Sequence, residues 1–505
     1  MDSRDSGLRF FVVFCAAIAA LGAFNNGVNT SALNIPGSVL THCPGVPFGT
    51  VTYYPHSPLP QCIPMTDWIN GAATGMFAVG GLLGALASGW LSQKFGRRDS
   101  MLLINITFFV GAILLSTSTE PGQFAVGRLF TGIGSGFMTV VISTYISEIS
   151  PSKYRGALGS MLQLFLTIGI LIIELIGLGL SSAVGWRIVV VITVVPSIIQ
   201  MICLPMCARS PRWLISRNRI DEARVQLMRL RKGDVQEEFS EMLLSLTGGD
   251  DSVGKAPNNE YGDKDSFDNV GAVEKSNGAG NSEEALSVIE IFRSRPLAII
   301  TLKMLVVHAS SQLTGINAVM YYSTSIFENS FGDVAKYVTI GVGGLNVVLT
   351  IIALGLVDRL GRKILMVISG YGMTIFSVLM MVGLRFNISA LQVVSIYLFV
   401  ASYAIGLGVI PFIINSEVYP TYAINASASM ALAVNWLCNF IIGLIFPALQ
   451  SALGPYVFLI FTGISAIVTT FILIFVPETK QKSIEQIGRE VGWADVDPAT
   501  LRRRK

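Results

Sequence analysis

Residues 312–327 run Gln-Leu-Thr-Gly-Ile-Asn-Ala-Val-Met-Tyr-Tyr-Ser-Thr-Ser-Ile-Phe, which sets Gln312, Asn317, Tyr321 and Tyr322 inside a long apolar stretch. Their chemistry is hydrogen bonding. An amide in hydrocarbon loses its bonds to water and persists only against partners or a wet cavity. Gly315 sits among them, weakens the helix locally and frees backbone groups as well. A helix broken at mid-membrane beside polar side chains suits a solute site, while the same residues can also serve only to hold helices together.

Other polar side chains fall at helical spacing in other apolar stretches. Asn25 and Asn26 precede Asn29 by four and three residues, which predicts one shared face, with Asn34 beyond it. Gln163, Leu166, Ile170 and Glu174 also follow one face, Gln163 deep and Glu174 nearer the outside. A carboxylate there must be hydrated, paired or protonated, so Glu174 is either an outer-vestibule residue or a titrating one, with Arg128 as a candidate partner. Asn346 lies in a later stretch, and Gly406, Gly408 and Pro411 interrupt another, which lets Phe412 swing. Asn435, Trp436 and Asn439 follow; an indole beside amides suits a sugar, whose C–H face packs on the ring while its hydroxyls take the amides.

The elements that must position these residues follow from composition. The 505 residues are 52% hydrophobic and 13% charged, with mean hydropathy +0.61, which is not the balance of a soluble globular protein. Twelve apolar runs, near 10–36, 67–93, 99–118, 121–147, 156–180, 185–207, 296–327, 335–357, 364–385, 390–416, 424–450 and 454–476, are each long enough to cross a core of ~30 Å. No run alternates as barrel strands do. The prediction is an all-α membrane protein, twelve transmembrane helices in two pseudo-symmetric six-helix bundles joined by a cytoplasmic helical linker. The first run is read as a retained helix rather than a removed signal peptide.

Residues 1–208 form the first bundle and 209–295 the linker, with a disordered insertion at about 247–282; 296–476 form the second bundle and 477–505 a tail. The loop from Gly37 to Thr66 lacks Lys and Arg, whereas Lys94, Arg97, Arg98, Lys153, Arg155, Arg359, Arg362 and Lys363 occupy alternate loops. By the positive-inside bias, both termini and the linker are cytoplasmic. The net +3 thus reports topology, and no basic face suggests nucleic acid. Cys43 and Cys62 share the first outer loop and are expected to form a disulfide, since that compartment is oxidising. Asn387-Ile-Ser389 is the sequon best placed for glycosylation.

The basic turns Lys94-Phe-Gly-Arg-Arg98 and Asp358-Arg-Leu-Gly-Arg-Lys363 follow the second helix of each half and mark an internal repeat. Glu148 ends the fourth run and Glu417 the tenth, each expected to pair with arginines of an inner turn as a latch that breaks when the pore faces inward. These stretches, with Gly127-Arg-Leu129, Glu148 to Gly156, Ser210-Pro-Arg-Trp-Leu214, Gln312 to Phe327, Asn435-Trp436 and Pro477-Glu-Thr-Lys480, resemble the sugar porter family of the major facilitator superfamily, most closely its facilitative glucose transporters.

The resemblance implies a hexose, glucose-like, moved by alternating access and facilitated diffusion, with no cofactor and no enzymatic step. It implies a substrate site of Gln163, Gln312, Asn317, Asn346, Trp436, Asn439, Asn29, Ile170 and Phe412, and an outer gate of Tyr321 and Tyr322. It also implies a cytoplasmic latch of Arg97, Arg98, Glu148, Arg155, Arg212, Asp358, Arg362 and Glu417. The chain departs from the family pattern at Ser311, Arg209, Phe412 and Ile424, which leaves the second latch open. Proton-coupled members resemble this chain but carry Asp at the position of Asn29, so the resemblance favours uniport. Glu174 and Arg128 keep proton symport as the alternative, and a transporter-like sugar sensor is a second one. The expected partners are a monosaccharide and the lipid bilayer, at the plasma membrane or else the vacuolar membrane.

Overall fold

In hydrocarbon every backbone N–H and C=O must be satisfied within its own segment, so the apolar runs fold as helices. A computed structural model describes residues 7–247 and 286–496, apart from 44, 48, 481, 483 and 495. The expected insertion from 248 onward and the end of the tail lie outside the described residues. The first half comprises α1 (Phe10–Ser31), α2 (Gly37–Thr41), α3 (Asp67–Phe95), α4 (Arg97–Ser116), α5 (Pro121–Ile149), α6 (Arg155–Gly159), α7 (Met161–Gly179), α8 (Gly185–Ile192) and α9 (Val195–Cys203). Four short helices join the halves: α10 (Pro211–Ser216), α11 (Ile220–Leu230), α12 (Gln236–Thr247) and α13 (Val288–Arg293).

The second half comprises α14 (Arg295–Leu313), α15 (Ile316–Phe331), α16 (Ala335–Leu360), α17 (Arg362–Arg385), α18 (Ser389–Ile405), α19 (Ile410–Glu417), α20 (Thr421–Leu453) and α21 (Val457–Phe475), followed by α22 (Ile484–Val491). Eleven stretches are long and apolar enough to span a membrane, and one of them, Tyr422–Phe475, contains the two helices α20 and α21. The molecule is therefore a multi-pass membrane protein with twelve crossings in two six-helix halves. The seventh and tenth crossings are broken, at Gly315 and at Gly406 to Val409, where the sequence places its glycines.

Lipid tails are as apolar as the helices, so close backbone approach replaces the hydrophobic drive between them. A β-carbon on Gly80 or Gly84 of α3 would lie 2.1 or 2.0 Å from the carbonyl oxygen of Leu129 or Ile133 on α5. Gly132 and Gly136 return the contact to Phe77 and Gly81 at 2.0 and 1.9 Å. The halves meet along α3 and α20, and along α7 and α16. At the first seam a β-carbon on Gly71 would lie 2.2 Å from Leu444 O.

The two ends differ. One carries the disulfide between Cys43 and Cys62, whose loop is tied down by Trp186 Nε1 to Gln61 O (2.9 Å) and Arg187 Nη2 to Pro60 O and Ser118 O (2.8 and 2.9 Å). Asn387 is exposed at this end. The other end carries the basic turns, each closing a helix on a left-handed glycine, Gly96 (φ 86°) and Gly361 (φ 100°).

Candidate solute-binding site

At Gly315 φ is +95°, and an added β-carbon would lie 2.7 Å from the Phe461 ring, so the break between α14 and α15 requires glycine. The break folds Asn317 back onto Gln312, whose Oε1 accepts from Asn317 Nδ2. Gln312 Nε2 donates to Asn435 Oδ1 at 3.2 Å, and Asn435 Nδ2 donates to Ser311 Oγ at 2.8 Å and to His308 O at 3.3 Å. A string of amides thus crosses α14, α15 and α20 at the break. Tyr321 and Tyr322 stand one turn beyond Asn317, donating to Asn439 Oδ1 (2.9 Å) and Gly443 O (3.1 Å).

Trp436 carries the second half across the seam. Its ring lies against Gly81, where a β-carbon would fall 2.4 Å away, and meets Phe77 edge-on at 6.0 Å. From the first half, Ile170 is buried and Leu166 half-buried in the apolar cluster that holds Ile316 and Tyr321. Gln163 is half-buried and Asn346 buried, and neither bonds to another side chain among the described residues. Phe412 is 40% exposed and set edge-on to His308 at 5.5 Å.

Several expected placements are corrected. Asn29 does not join the amide string; its Nδ2 turns back to Asn25 O at 2.9 Å, satisfied within its own helix. Asn26 bonds Thr139 (3.4 Å) and Asn25 bonds Ser197 (2.7 Å), so the asparagines serve two neighbouring helices rather than one cavity face. Arg128 does not pair with Glu174 but donates to Asn29 O at 2.7 Å and lies over Phe77 at 4.6 Å. Glu174 is buried at the disulfide end rather than lining an open vestibule. Sequence reasoning undervalued Asn435, the hinge of the string, and did not single out His308, which is buried beside it and accepts from Asn435 through its carbonyl. The available signal for His308 was its place one turn before Gln312 in an apolar run.

The latch residues are also rearranged. Arg97 pairs with Glu148 at 2.8 Å and Arg362 with Glu417 at 2.9 Å, each within one half. Glu478 caps α17 by accepting from the Arg362 and Lys363 backbone N–H groups (3.0 and 3.1 Å), and Thr479 donates to Glu417 at 2.5 Å. Arg98 and Arg209 instead share Asp99, at 2.7 and 2.9 Å. Arg155 and Arg212 are exposed and form no ion pair among the described residues. The Asp358 side chain lies outside the described residues.

Among the described residues, the side-chain hydrogen bonds that join the two halves lie at the disulfide end and include Asn34 Nδ2 to Ser323 Oγ (2.9 Å), Thr324 N to Asn34 Oδ1 (3.3 Å) and Ser31 Oγ to Met320 O (3.3 Å). Around them, towards the outer loop, a cavity of about 70 Å³ is lined by Asn34, Ser38, Thr41, Asn70, Arg128 and Tyr322. At the basic end no side-chain hydrogen bond or ion pair joins the halves among the described residues. The two halves are therefore bonded to each other at the disulfide end. The pairs Arg97–Glu148 and Arg362–Glu417 each lie inside one half, so neither joins the halves directly.

A family model described as "Sugar (and other) transporter" matches residues 13–491. The chain belongs to the sugar transporter family. It is 32% identical over 492 residues to the dog facilitated glucose transporter member 3, covering 95% of this chain and 92% of the relative. It is also 32% identical over 520 residues to the pig facilitated glucose transporter member 2, covering 95% and 93%.

Among solved structures, the partially occluded inward-open form of the xylose transporter XylE from E. coli superposes with TM-score 0.73 at 21% identity, covering 94% of this chain and 100% of that one. The proton:xylose symporter XylE bound to 6-bromo-6-deoxy-D-glucose superposes with TM-score 0.70 at 22% identity, covering 96% and 99%. At that identity the likeness establishes a shared fold. The family is one of transporters, not enzymes.

Proposed function

We propose that this sugar transporter carries a hexose such as glucose across its membrane by alternating access, down the sugar gradient. The observation that carries this reading is the string Asn317–Gln312–Asn435 beside Trp436, built at a helix break where the two halves adjoin. Its amides suit hydroxyls and the indole suits a C–H face. Gln163, with Leu166 and Ile170 beside it, would complete the site from the first half. Asn346, Asn439 and Phe412 would extend it in the second. Tyr321 and Tyr322 would form the gate, and their bonds to α20 support that role.

The names of the matched glucose transporters and the sugar-bound XylE structure support the substrate class. In this reading the basic end and both termini are cytoplasmic, the disulfide end is extracellular at the plasma membrane, and Asn387 is open to glycosylation. Mobility unchanged by a glycosidase would remove the last point. Proton symport is the second reading, favoured by the buried Glu174 and the symporter XylE. Against it, Asn29 cannot titrate and the Arg128 guanidinium is held by a backbone carbonyl. Uptake of labelled D-glucose by cells lacking their own hexose carriers tests the proposal; no uptake above untransformed cells would refute it.

A further inference from the structure

Glu174 is 1% exposed, enclosed where both halves close the disulfide end. Its Oε1 accepts from Asn34 Nδ2 at 3.3 Å, while Oε2 has no partner and faces Gly343 of α16, where a β-carbon would lie 2.5 Å away. Asn34 in turn bonds Ser323 of α15, whose hydroxyl donates to Thr339 of α16 at 3.1 Å. The carboxyl therefore sits beneath the bonds that seal the two halves together.

No cation compensates it. Among the described residues no ion pair involves Glu174. On α5, Arg128 is turned to Asn29 O, and on α8 Arg187 is held by the carbonyls of Pro60 and Ser118. On α16, Lys336 pairs with Asp333 at 3.6 Å and Tyr337 is exposed; on α15, Tyr321 and Tyr322 are bonded to α20 and Glu328 is exposed. The segment from α1 presents only Ser31 and Asn34. An ionised carboxylate with one long amide contact, a neighbouring Ser31 hydroxyl that donates to Met320 O, and no cation is strongly disfavoured in such an enclosure.

We propose that Glu174 is a proton-binding site of the outer gate: the carboxyl takes a proton from the outer side when the halves close over it and returns it to that side when they part. The inference rests on the carrier reading and adds a proton as a gate ligand without making it cargo. The sign follows from linkage. The closed state binds one proton more than the open state, so closure is favoured as the outer pH falls. Glu174→Gln keeps the shape of the neutral acid and removes the titration.

The test uses Thr139→Cys, half-buried on α5 and about three turns further from the disulfide end than Arg128, labelled from outside by a membrane-impermeant maleimide in cells between pH 5 and 8. Each rate is divided by that of Thr139→Cys in the Glu174→Gln background, which cancels the reagent's own pH dependence. Expected is a ratio that falls as the outer pH falls, by at most about tenfold per unit, and levels near one at the acid end. A ratio that is flat, or that rises on acidification, would overturn the site. Glucose-driven proton entry abolished by Glu174→Gln would overturn same-side return. A flat ratio in cells that take up glucose overturns this inference alone. A responsive ratio in cells that take up none supports the proton site and refutes the carrier reading.

Discussion

Replacing Gln312 by Ala removes the centre of the amide string, with its contacts to both Asn317 and Asn435. At about 1 kcal/mol for each of two hydrogen bonds to a sugar, the half-saturating glucose concentration should rise roughly tenfold or more, with surface amount unchanged. Initial rates of uptake across a glucose series check this; unchanged kinetics would place the site elsewhere. The types of these residues were legible in the sequence because amides in apolar runs are expensive. Their directions were not. Asn29 and Gln312 look alike as letters, yet one bonds its own helix and the other reaches α20, a choice set by which partner lies within a turn. Asn435 was noticed beside Trp436, but its role as hinge depends on Ser311 and His308 standing opposite.

At the scale of elements, the two broken crossings were the most legible feature, the seventh because only glycine tolerates φ near +95° beside an aromatic ring. Gly315→Ala should impose a left-handed strain of about 1–2 kcal/mol as well as a clash with Phe461, and pull Gln312 away from Asn317. Glucose uptake at equal surface amount should fall at least tenfold; wild-type uptake would show that the break is incidental. The pairing of Cys43 with Cys62 was also legible, because loop charge fixed the compartment. An impermeant maleimide added to intact cells should label these two cysteines only after a reductant, and equal labelling without one would remove both the bond and the assigned side. The partners of the expected latch were legible; their place in the molecule was not. Acid and arginine types predicted the pairs Arg97–Glu148 and Arg362–Glu417, but spacing alone cannot say whether a pair spans two halves or staples one.

For the whole molecule, two repeated halves followed from the recurring basic turns, and their seam follows from glycines that let α3 touch α20. The state of the seam was not legible, since one sequence serves both open and closed forms. Bonds between the halves at the disulfide end, and ion pairs that each lie within one half, are the arrangement expected of halves that rock as rigid bodies. A carrier of this kind equalises its substrate and does nothing more. The direct measurement is the final level of labelled D-glucose inside liposomes holding the purified protein, with and without an imposed pH gradient. Expected is entry, faster than that of L-glucose, that stops when the inner and outer concentrations are equal, whatever the gradient. No entry beyond that of empty liposomes, or accumulation above the outer concentration when the outside is acid, would contradict it.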